Sequence, residues 1–286
     1  MTELLTAAQM RAIEQAAIDS GEVTGLELME RAGVGVVEAI LEEWPAMAFT
    51  SHKAVVLCGP GNNGGDGFVV ARFLKARGWE VEVFLYGNAE KLPVDAKVNC
   101  GRWREQGHIK NGNSILISGN TDLYVDALFG TGLTRPITGN IATAISSLKK
   151  YSNKTVSVDL PSGCCSDSGR MLGPSIKCRL CVTFERARVG HFVGGAHLAI
   201  GKLVVAKIGL SKYVGGYFQV NSDEPLVTLT KRSEYLGKKE TGGSHKFAYG
   251  HALVLSGQAG KSGAARLTAR GALRVGAGVV TVACPP

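Results

Sequence analysis

The stretch that decides the fold is CGPGNNGGDG, residues 58–67. It follows an apolar run at 53–58 and precedes a helical pattern at 67–77, so it lies at a strand-to-helix turn. Its first three glycines match the G-x-G-x-x-G spacing of dinucleotide-binding turns. That fingerprint also requires an acid about 20 residues further on, at the end of the next strand. The chain has VFLYG there, at 83–87, so the turn predicts a parallel α/β sheet without the usual mode of dinucleotide binding.

The alternation of strands and helices continues along most of the chain. Two capping boxes, Thr6–Gln9 and Thr24–Glu27, predict helices before the first strand, neither with obvious chemistry of its own. Periodicity then predicts helices at 67–77, about 90–106 and 141–150, and strands at 53–58, 80–85, 114–118, 122–128, 155–159, 179–184 and 202–208. Such alternation favours a Rossmann-like three-layer α/β/α fold with a mostly parallel sheet.

The pattern changes beyond residue 220. Residues 221–243 are polar and charged, which is typical of a linker. A strand at 250–256, a helix at 264–275 and a strand at 278–283 then predict one further β-α-β unit. One such unit buries too little surface to be stable by itself, so we expect a fragment that ends at the start of a second domain.

The composition is that of an ordinary globular protein, with 45% hydrophobic and 20% charged residues. The formal charge of +8 favours anionic ligands, and without a recognition motif we expect no nucleic-acid partner. We find no long apolar run and no signal sequence, so we expect a cytoplasmic protein with no membrane span. Seven cysteines do not suggest a disulfide framework. Cys178 and Cys181, three residues apart on a predicted strand, should face opposite sides rather than bind zinc.

Polar side chains follow the ends of three predicted strands, where open parallel sheets bind their ligands. The segments are GPGNNGGDG (59–67), VDALFGTGLTRP (125–136) and VDLPSG (158–163). Asp126 and Asp159 lie at strand ends, where an unpaired buried carboxylate would be costly. The loop after Asp126 offers backbone N–H groups, two threonines and an arginine, which suit phosphate groups.

Neighbouring parallel strands should bring these segments into one crevice. Asn63, Asp126, Asp159 and Ser162 would then form a set rich in oxygen, which suits a hard cation better than zinc. The residues alone leave a monovalent ion and magnesium both open. Asp66 fits either this crevice or the N-cap of the following helix.

The three segments, in this order and spacing, closely resemble the NAD(P)H-hydrate epimerase family, as does ELMERAG at 27–33. The resemblance covers residues 1–220 as an epimerase domain, with 221–243 as the linker. Residues 244–286 resemble the truncated start of an ADP- or ATP-dependent NAD(P)H-hydrate dehydratase domain, which is ribokinase-like. The two domains are fused in the bifunctional NAD(P)H-hydrate repair enzymes of bacteria.

The resemblance implies epimerisation of (R)- and (S)-NAD(P)H hydrate, a repair of damaged nicotinamide cofactors. It implies Asp159 as the catalytic residue, with one potassium ion held by Asn63, Asp126 and Ser162. The implied substrate-binding residues are Asn62, Asn63, Gly64, Gly65, Asp66, Gly130, Thr131, Gly132, Leu133, Thr134, Arg135, Pro136 and Asp159, with Ala264 as an early dehydratase contact. ADP or ATP would serve only the incomplete second domain. The chain departs from the family at Arg188-Val-Gly190, where a Lys-x-Gly segment is expected.

Other functions remain as alternatives. A nucleotide-binding module would use the same turn without catalysis. A nicotinamide-dependent oxidoreductase would need a ribose-binding acid, and the sequence offers no place for one. A P-loop kinase at Gly260-Lys261-Ser262 fails on spacing, because the preceding glycine, Gly257, is three residues before Gly260 rather than five. The sequence leaves a homo-oligomer, and the preference between NADHX and NADPHX, open.

Overall fold

The computed structural model describes residues 3–115, 117, 119–224, 226–230, 245–258 and 260–285. The chain divides into two compact units, Met1–Leu229 and Thr230–Pro286. The strands of the first unit are β1 (Glu3–Leu4), β2 (Lys53–Cys58), β3 (Glu80–Leu85), β4 (Ile109–Asn111), β5 (Leu123–Ala127), β6 (Thr155–Val158), β7 (Cys178–Phe184), β8 (Ile200–Ala206) and β9 (Val227–Thr228). Its α-helices are α1 (Ala7–Asp19), α2 (Gly25–Glu43), α3 (Asn62–Ala76), α4 (Val94–Arg104), α5 (Asn140–Leu148) and α6 (Ser211–Val220).

Seven strands form one parallel sheet in the order β4-β3-β2-β5-β6-β7-β8. The chain builds outward from β2 to one edge, then returns to β5 and builds toward the other edge. The pair β2–β5 is therefore the topological switch point, beside which open parallel sheets bind ligands. β1 and β9 form a separate antiparallel pair. The predicted α/β fold with a mostly parallel sheet is confirmed.

Helices cover both faces of this sheet. Along β2, Ala54 and Val56 pack into one core cluster while Val55 and Leu57 pack into another, as strand alternation requires. Residues of α1, α2, α3, α4 and α6 join the first cluster, and residues of α5 join the second. The central strands β2, β5 and β6 are buried along almost their whole length, as expected of strands covered on both faces.

Both predicted capping boxes are present and begin the first two helices. The Thr6 side chain accepts from the backbone N–H of Gln9, whose side chain accepts from the Thr6 N–H. Thr24 and Glu27 repeat the arrangement at the start of α2. These reciprocal bonds satisfy N–H groups that the first helical turn leaves free.

Several predicted elements differ from the structure. The strand predicted at 114–118 includes Leu116 and Ser118, which lie outside the described residues. The described strand of this region, β4, lies earlier and ends at Asn111, whose side chain accepts from the Asn113 N–H at 2.9 Å in a turn. Helix α3 begins at Asn62 rather than 67, so Gly64 and Gly65 of the opening stretch are helical and Gly61 is the N-cap residue. Helix α6 was not predicted.

The two cysteines of β7 also differ from expectation. Cys178 and Cys181 pack into the same core cluster instead of facing opposite sides. Both are free thiols that donate to backbone carbonyls of Ala199 and Asp159. In the described part of the chain, no cluster of three or more His, Cys, Asp or Glu side chains could hold a metal ion.

The second unit contains the predicted β-α-β unit, formed by β10 (His251–Leu255), α7 (Gly263–Val275) and β11 (Val279–Ala283). Its two strands are parallel. Leu253 and Leu255 of β10 are 64% and 77% exposed. Residues 231–243 of the predicted linker lie outside the described residues. Among the described helices of the whole chain, none combines the length and apolar character that spanning a bilayer requires.

Candidate active site

A cavity of about 390 Å³ opens at the switch point of the sheet. Its walls come from the turn after β2, the loop after β5, the residues that end β6 and β7, and one face of α1. The cavity therefore lies where the topology predicts a ligand. Its lining mixes acids, arginines and amides with backbone N–H groups, so it suits a polar, charged ligand.

The turn after β2 is built from close backbone contacts. A Cβ atom at Gly59 would overlap the carbonyl oxygen of Leu128, and one at Gly64 would overlap the carbonyl oxygen of Gly59. These glycines are therefore needed so that the turn can pack against the loop after β5. A Cβ at Gly65 would meet the Met29 sulfur of α2. Gly64 therefore packs against Gly59 and Gly65 against α2, and neither lines the cavity.

Asp66 lies in the second turn of α3 and lines the cavity, while Gly61 is the N-cap residue. The interpretation of Asp66 as the N-cap is therefore wrong. The pKa of Asp66 is raised well above its usual value, first by burial and then by the charges of Asp159 and Glu14. A carboxyl group in this environment favours its neutral form, in which it can donate a hydrogen bond.

Asn63 presents the most unusual polar group of the cavity. Both its amide oxygen and its amide nitrogen are buried, with no hydrogen-bond partner among the described residues. The loop residue Gly130 approaches it closely, since a Cβ at Gly130 would lie 3.2 Å from Asn63 Oδ1 and 3.1 Å from Asp159 Oδ2. A buried amide without partners is costly, so this side chain is arranged for a ligand or an ion.

Asp126 is fully buried behind the cavity wall. Its carboxylate accepts from Ser162 Oγ at 2.5 Å, the Ser162 N–H at 2.9 Å, Ser157 Oγ at 3.0 Å and the Leu128 N–H at 3.3 Å. Burial raises the pKa of Asp126, although these hydrogen bonds act in the opposite direction. Ser162 Oγ also lies 3.3 Å from the carbonyl oxygen of Phe129, so it joins Asp126 to the loop that reaches Asn63.

Asp159 follows β6 and has a left-handed backbone, with φ of 65°, which is rare for a residue other than glycine. Its carboxylate accepts from Thr183 Oγ1 at 2.9 Å and from the Thr131 N–H at 3.3 Å, and lies 3.7 Å from the Arg188 guanidinium. Its carbonyl oxygen accepts from His191 Nε2 at 2.8 Å. The backbone and side chain of Asp159 are thus both fixed at the cavity wall.

His191 supports this arrangement as a neutral ring. Its Nδ1 accepts from the Arg188 N–H at 2.8 Å, which leaves the proton on Nε2 to bind the carbonyl of Asp159. Burial lowers the pKa of His191, although the nearby Asp159 carboxyl acts in the opposite direction. Arg188, where the chain departs from the expected lysine, lines the cavity beside Asp159.

Helix α1 contributes residues that the sequence analysis missed. Ala7, Met10, Arg11 and Glu14 all line the cavity, at the spacing of one helical face. Burial raises the pKa of Glu14 to about 7, with Asp159 acting in the same direction and Arg188 and Arg11 against it. The sequence does contain a signal for these residues, because Arg11 and Glu14 extend the helical face of Ala7 and Met10.

Comparison with known proteins places the chain in a family. Residues 25–190 match the family model described as YjeF-related protein N-terminus. The chain is 50% identical to an NAD(P)H-hydrate epimerase of Rhodobacter capsulatus over 196 residues. The aligned residues cover 67% of this chain and 92% of that protein. The chain belongs to the NAD(P)H-hydrate epimerase family. The resemblance seen in the sequence motifs is therefore confirmed.

Further relatives of this epimerase-family chain fall into two groups. An NAD(P)H-hydrate epimerase of Roseobacter litoralis is 41% identical, over 73% of this chain and all of that protein. A bifunctional NAD(P)H-hydrate repair enzyme of Moorella thermoacetica is 37% identical over 99% of this chain, which spans only 54% of that enzyme's length. The crystal structure of yeast ynu0, YNL200c, shares the fold, with a TM-score of 0.63, 24% identity, and coverage of 79% of this chain and 99% of the yeast chain.

The structure brings together part of the site that the family resemblance implies. The cavity is lined by Asn62, Asn63, Asp66, Gly130, Thr131, Gly132, Leu133 and Asp159. Asp126 and Ser162 lie just behind its wall. Thr134, Arg135 and Pro136 are exposed and lie outside the lining residues. Ala264 is exposed in α7 of the second unit.

Proposed function

We propose that this chain epimerises NAD(P)H hydrate, interconverting its R and S forms and so repairing damaged nicotinamide cofactors. The names of its epimerase relatives support the proposal. The observation that carries it is the Asp159 carboxylate, held by Thr183 and the Thr131 N–H at the wall of the switch-point cavity. A fixed carboxylate beside a dinucleotide-like turn suits proton transfer at a bound nicotinamide ring.

The chemistry requires a group that moves a proton. The substrate carries a hydroxyl on the ring carbon next to the nitrogen, which makes that carbon a hemiaminal. Inversion takes place either by ring opening and closure or by loss and return of the hydroxyl on the other face. Both routes move a proton on or off the hydroxyl oxygen, and Asp159 acts as the general acid and base that moves it.

The residues present also fit a potassium ion. Asn63, Asp126 and Ser162 would hold it, with carbonyl oxygens of the loop after β5. The buried Asn63 amide oxygen without a partner supports this assignment, as does the absence of sulfur and imidazole from the set. The bound ion supplies a fixed positive charge near the cavity, while Asn63 and Gly130 fix the approach of the loop.

Removal of potassium tests this part of the proposal. Turnover in potassium chloride should exceed turnover in choline chloride by at least about tenfold, and Asn63→Ala should remove most of that difference. Stability measured in the same two salts is the control for a general salt effect. Equal turnover in both salts would count against a potassium site.

The catalytic proposal is tested with a mixture of the two epimers. The protein is added alone, and the epimer ratio is followed by chromatography against the uncatalysed interconversion. Asp159→Asn should slow the enzyme by about 10²–10⁴-fold, the usual contribution of a general acid or base. Asp223→Asn, an exposed aspartate outside the cavity, is the matched control. Near-normal turnover of Asp159→Asn would remove Asp159 from this role, and no catalysis by the wild type would favour a nucleotide-binding module.

A second activity is proposed only for a longer chain. The bifunctional relatives extend well beyond the region that this chain matches. We infer that a full-length protein of that kind would also dehydrate the S epimer with ADP or ATP, and that it works in the cytoplasm without nucleic acid. If these 286 residues by themselves consume the S epimer in a reaction that depends on ADP, the proposal that dehydration needs a longer chain is wrong.

A further inference from the structure

Glu14 lines the same cavity as Asp159 but comes from a different wall. It lies on α1, on the face that also presents Ala7, Met10 and Arg11, whereas Asp159 follows β6. A ligand that enters the cavity is therefore exposed to carboxyl groups from two separate elements.

The surroundings of Glu14 are strongly charged. Within the described residues, Arg11 on the same helix, Arg188, Asp159 and Asp66 all interact with it electrostatically. Glu14 and Asp66 also line a small neighbouring recess, together with Asp95. Three carboxyls and two guanidiniums thus share one cavity, which is a typical arrangement for acid–base chemistry.

We propose that Glu14 is the second proton-carrying group of this cavity and works with Asp159 on the two faces of the hydrated nicotinamide ring. The inference rests on the proposed epimerase function and deepens it. Inversion of the ring carbon moves the hydroxyl from one face of the ring to the other. Two proton-carrying groups on separate walls can serve both faces without rotation of the bound dinucleotide.

The proton balance closes for either route. If the hydroxyl leaves, the protonated carboxyl gives its proton, the C–O pair departs with the oxygen as water, and the ring nitrogen lone pair forms the iminium. Water then adds to the opposite face and gives its proton to the other carboxylate. If the ring opens, one carboxylate takes the proton of the hydroxyl group, a carbonyl forms, and the C–N bond breaks with its electron pair going to nitrogen. The other carboxyl group gives its proton to that nitrogen. Closure on the other face reverses both transfers.

The environment of Glu14 suits this role. Burial raises its pKa to about 7, so the side chain exchanges its proton readily near neutral pH. In the same cavity the Asp159 carboxylate accepts hydrogen bonds from Thr183 Oγ1 and the Thr131 N–H, so the two groups have different surroundings. If Glu14 is the acid, the rate must fall as pH rises above about 7.

The test is the pH dependence of turnover in Glu14→Gln, with Asp19→Asn, an exposed acid on the same helix, as the matched control. Glu14→Gln should lower kcat by about 10²–10⁴-fold with KM within about threefold, and should lose the fall in rate above pH 7. Asp19→Asn should keep the wild-type profile. A Glu14→Gln enzyme with kcat within threefold of wild type and an unchanged profile would overturn the proposal.

Two further variants distinguish a role of Glu14 from a folding defect and from a role of Asp66. Glu14→Asp retains a carboxyl, so it should be slower but should still lose activity at high pH, even if Glu14→Gln fails to fold. Asp66→Asn should keep the fall above pH 7; if it loses that fall while Glu14→Gln keeps it, Asp66 is the proton carrier and the inference is wrong. Wild-type protein without any epimerisation would instead contradict the proposed function itself.

Discussion

Asp159 combines a strained backbone, contacts that hold that backbone in place, and a carboxylate at the wall of the cavity. Its left-handed backbone, with φ of 65°, costs about 1–2 kcal/mol for a residue with a Cβ. The hydrogen bond from His191 to its carbonyl and the contacts of Thr183 and Arg188 with its carboxylate hold this conformation. Strain retained at a cavity wall is typical of a functional position. The sequence could place Asp159 at a strand end but could not reveal its backbone conformation.

Glu14 makes a testable contribution to stability. Its pKa is about 7 in the folded protein, against an ordinary value of 4.5, so folding favours its protonated form. That stabilising contribution is fully present below pH 4.5 and is lost as pH rises through 7. Glu14→Gln should therefore unfold with a free energy up to about 3 kcal/mol above wild type at pH 8, with no difference near pH 4.

Urea denaturation at a series of pH values measures this difference. The exposed Asp19, replaced by Asn, is the control for removal of a negative charge from α1. A gain in stability that does not grow between pH 4 and pH 8 would contradict the raised pKa of Glu14. A stabilised but slow enzyme would be expected if Glu14 is retained for catalysis at a cost in stability.

At the level of elements, apolar runs made most strands predictable. The predictions for β2 and β3 coincide with the structure, and those for β5 to β8 agree within two residues. The central strands β2, β5 and β6 are buried along almost their whole length, which gives the strongest apolar signal. Edge strand β4 has only three residues and one neighbouring strand, so it carries little such signal. The glycine-rich start of α3 hid a helical turn, since glycine has low helix propensity.

Helix α6 shows why the remaining elements escaped prediction. Its sequence contains Gly215-Gly216, which disfavours a helix in isolation. The helix is instead anchored by Glu185, fully buried at the end of β7, which accepts from Ser211 Oγ at 2.5 Å and the Leu210 N–H at 3.1 Å. Such an anchor joins positions distant in sequence, so no local pattern reveals it. Glu14 does continue a helical face with Ala7 and Met10, but only the fold brings that face beside Asp159.

At the level of the whole molecule, the candidate site belongs to one unit. Every residue that lines the cavity lies within Met1–Leu229, and so do Asp126 and Ser162. The epimerases of Rhodobacter capsulatus and Roseobacter litoralis match 67% and 73% of this chain, which is close to the size of that unit. The first unit therefore holds the described residues that the proposed chemistry requires.

A chain of residues 1–229 tests this division. It should epimerise NAD(P)H hydrate with kcat/KM within about threefold of the 286-residue chain, because no described cavity residue is removed. Asp159→Asn in the shorter chain should lose activity by the same factor as in the longer one, which controls for a contaminating epimerase. A folded 1–229 protein with a kcat/KM reduced by more than about tenfold would mean that residues after Leu229 take part in epimerisation.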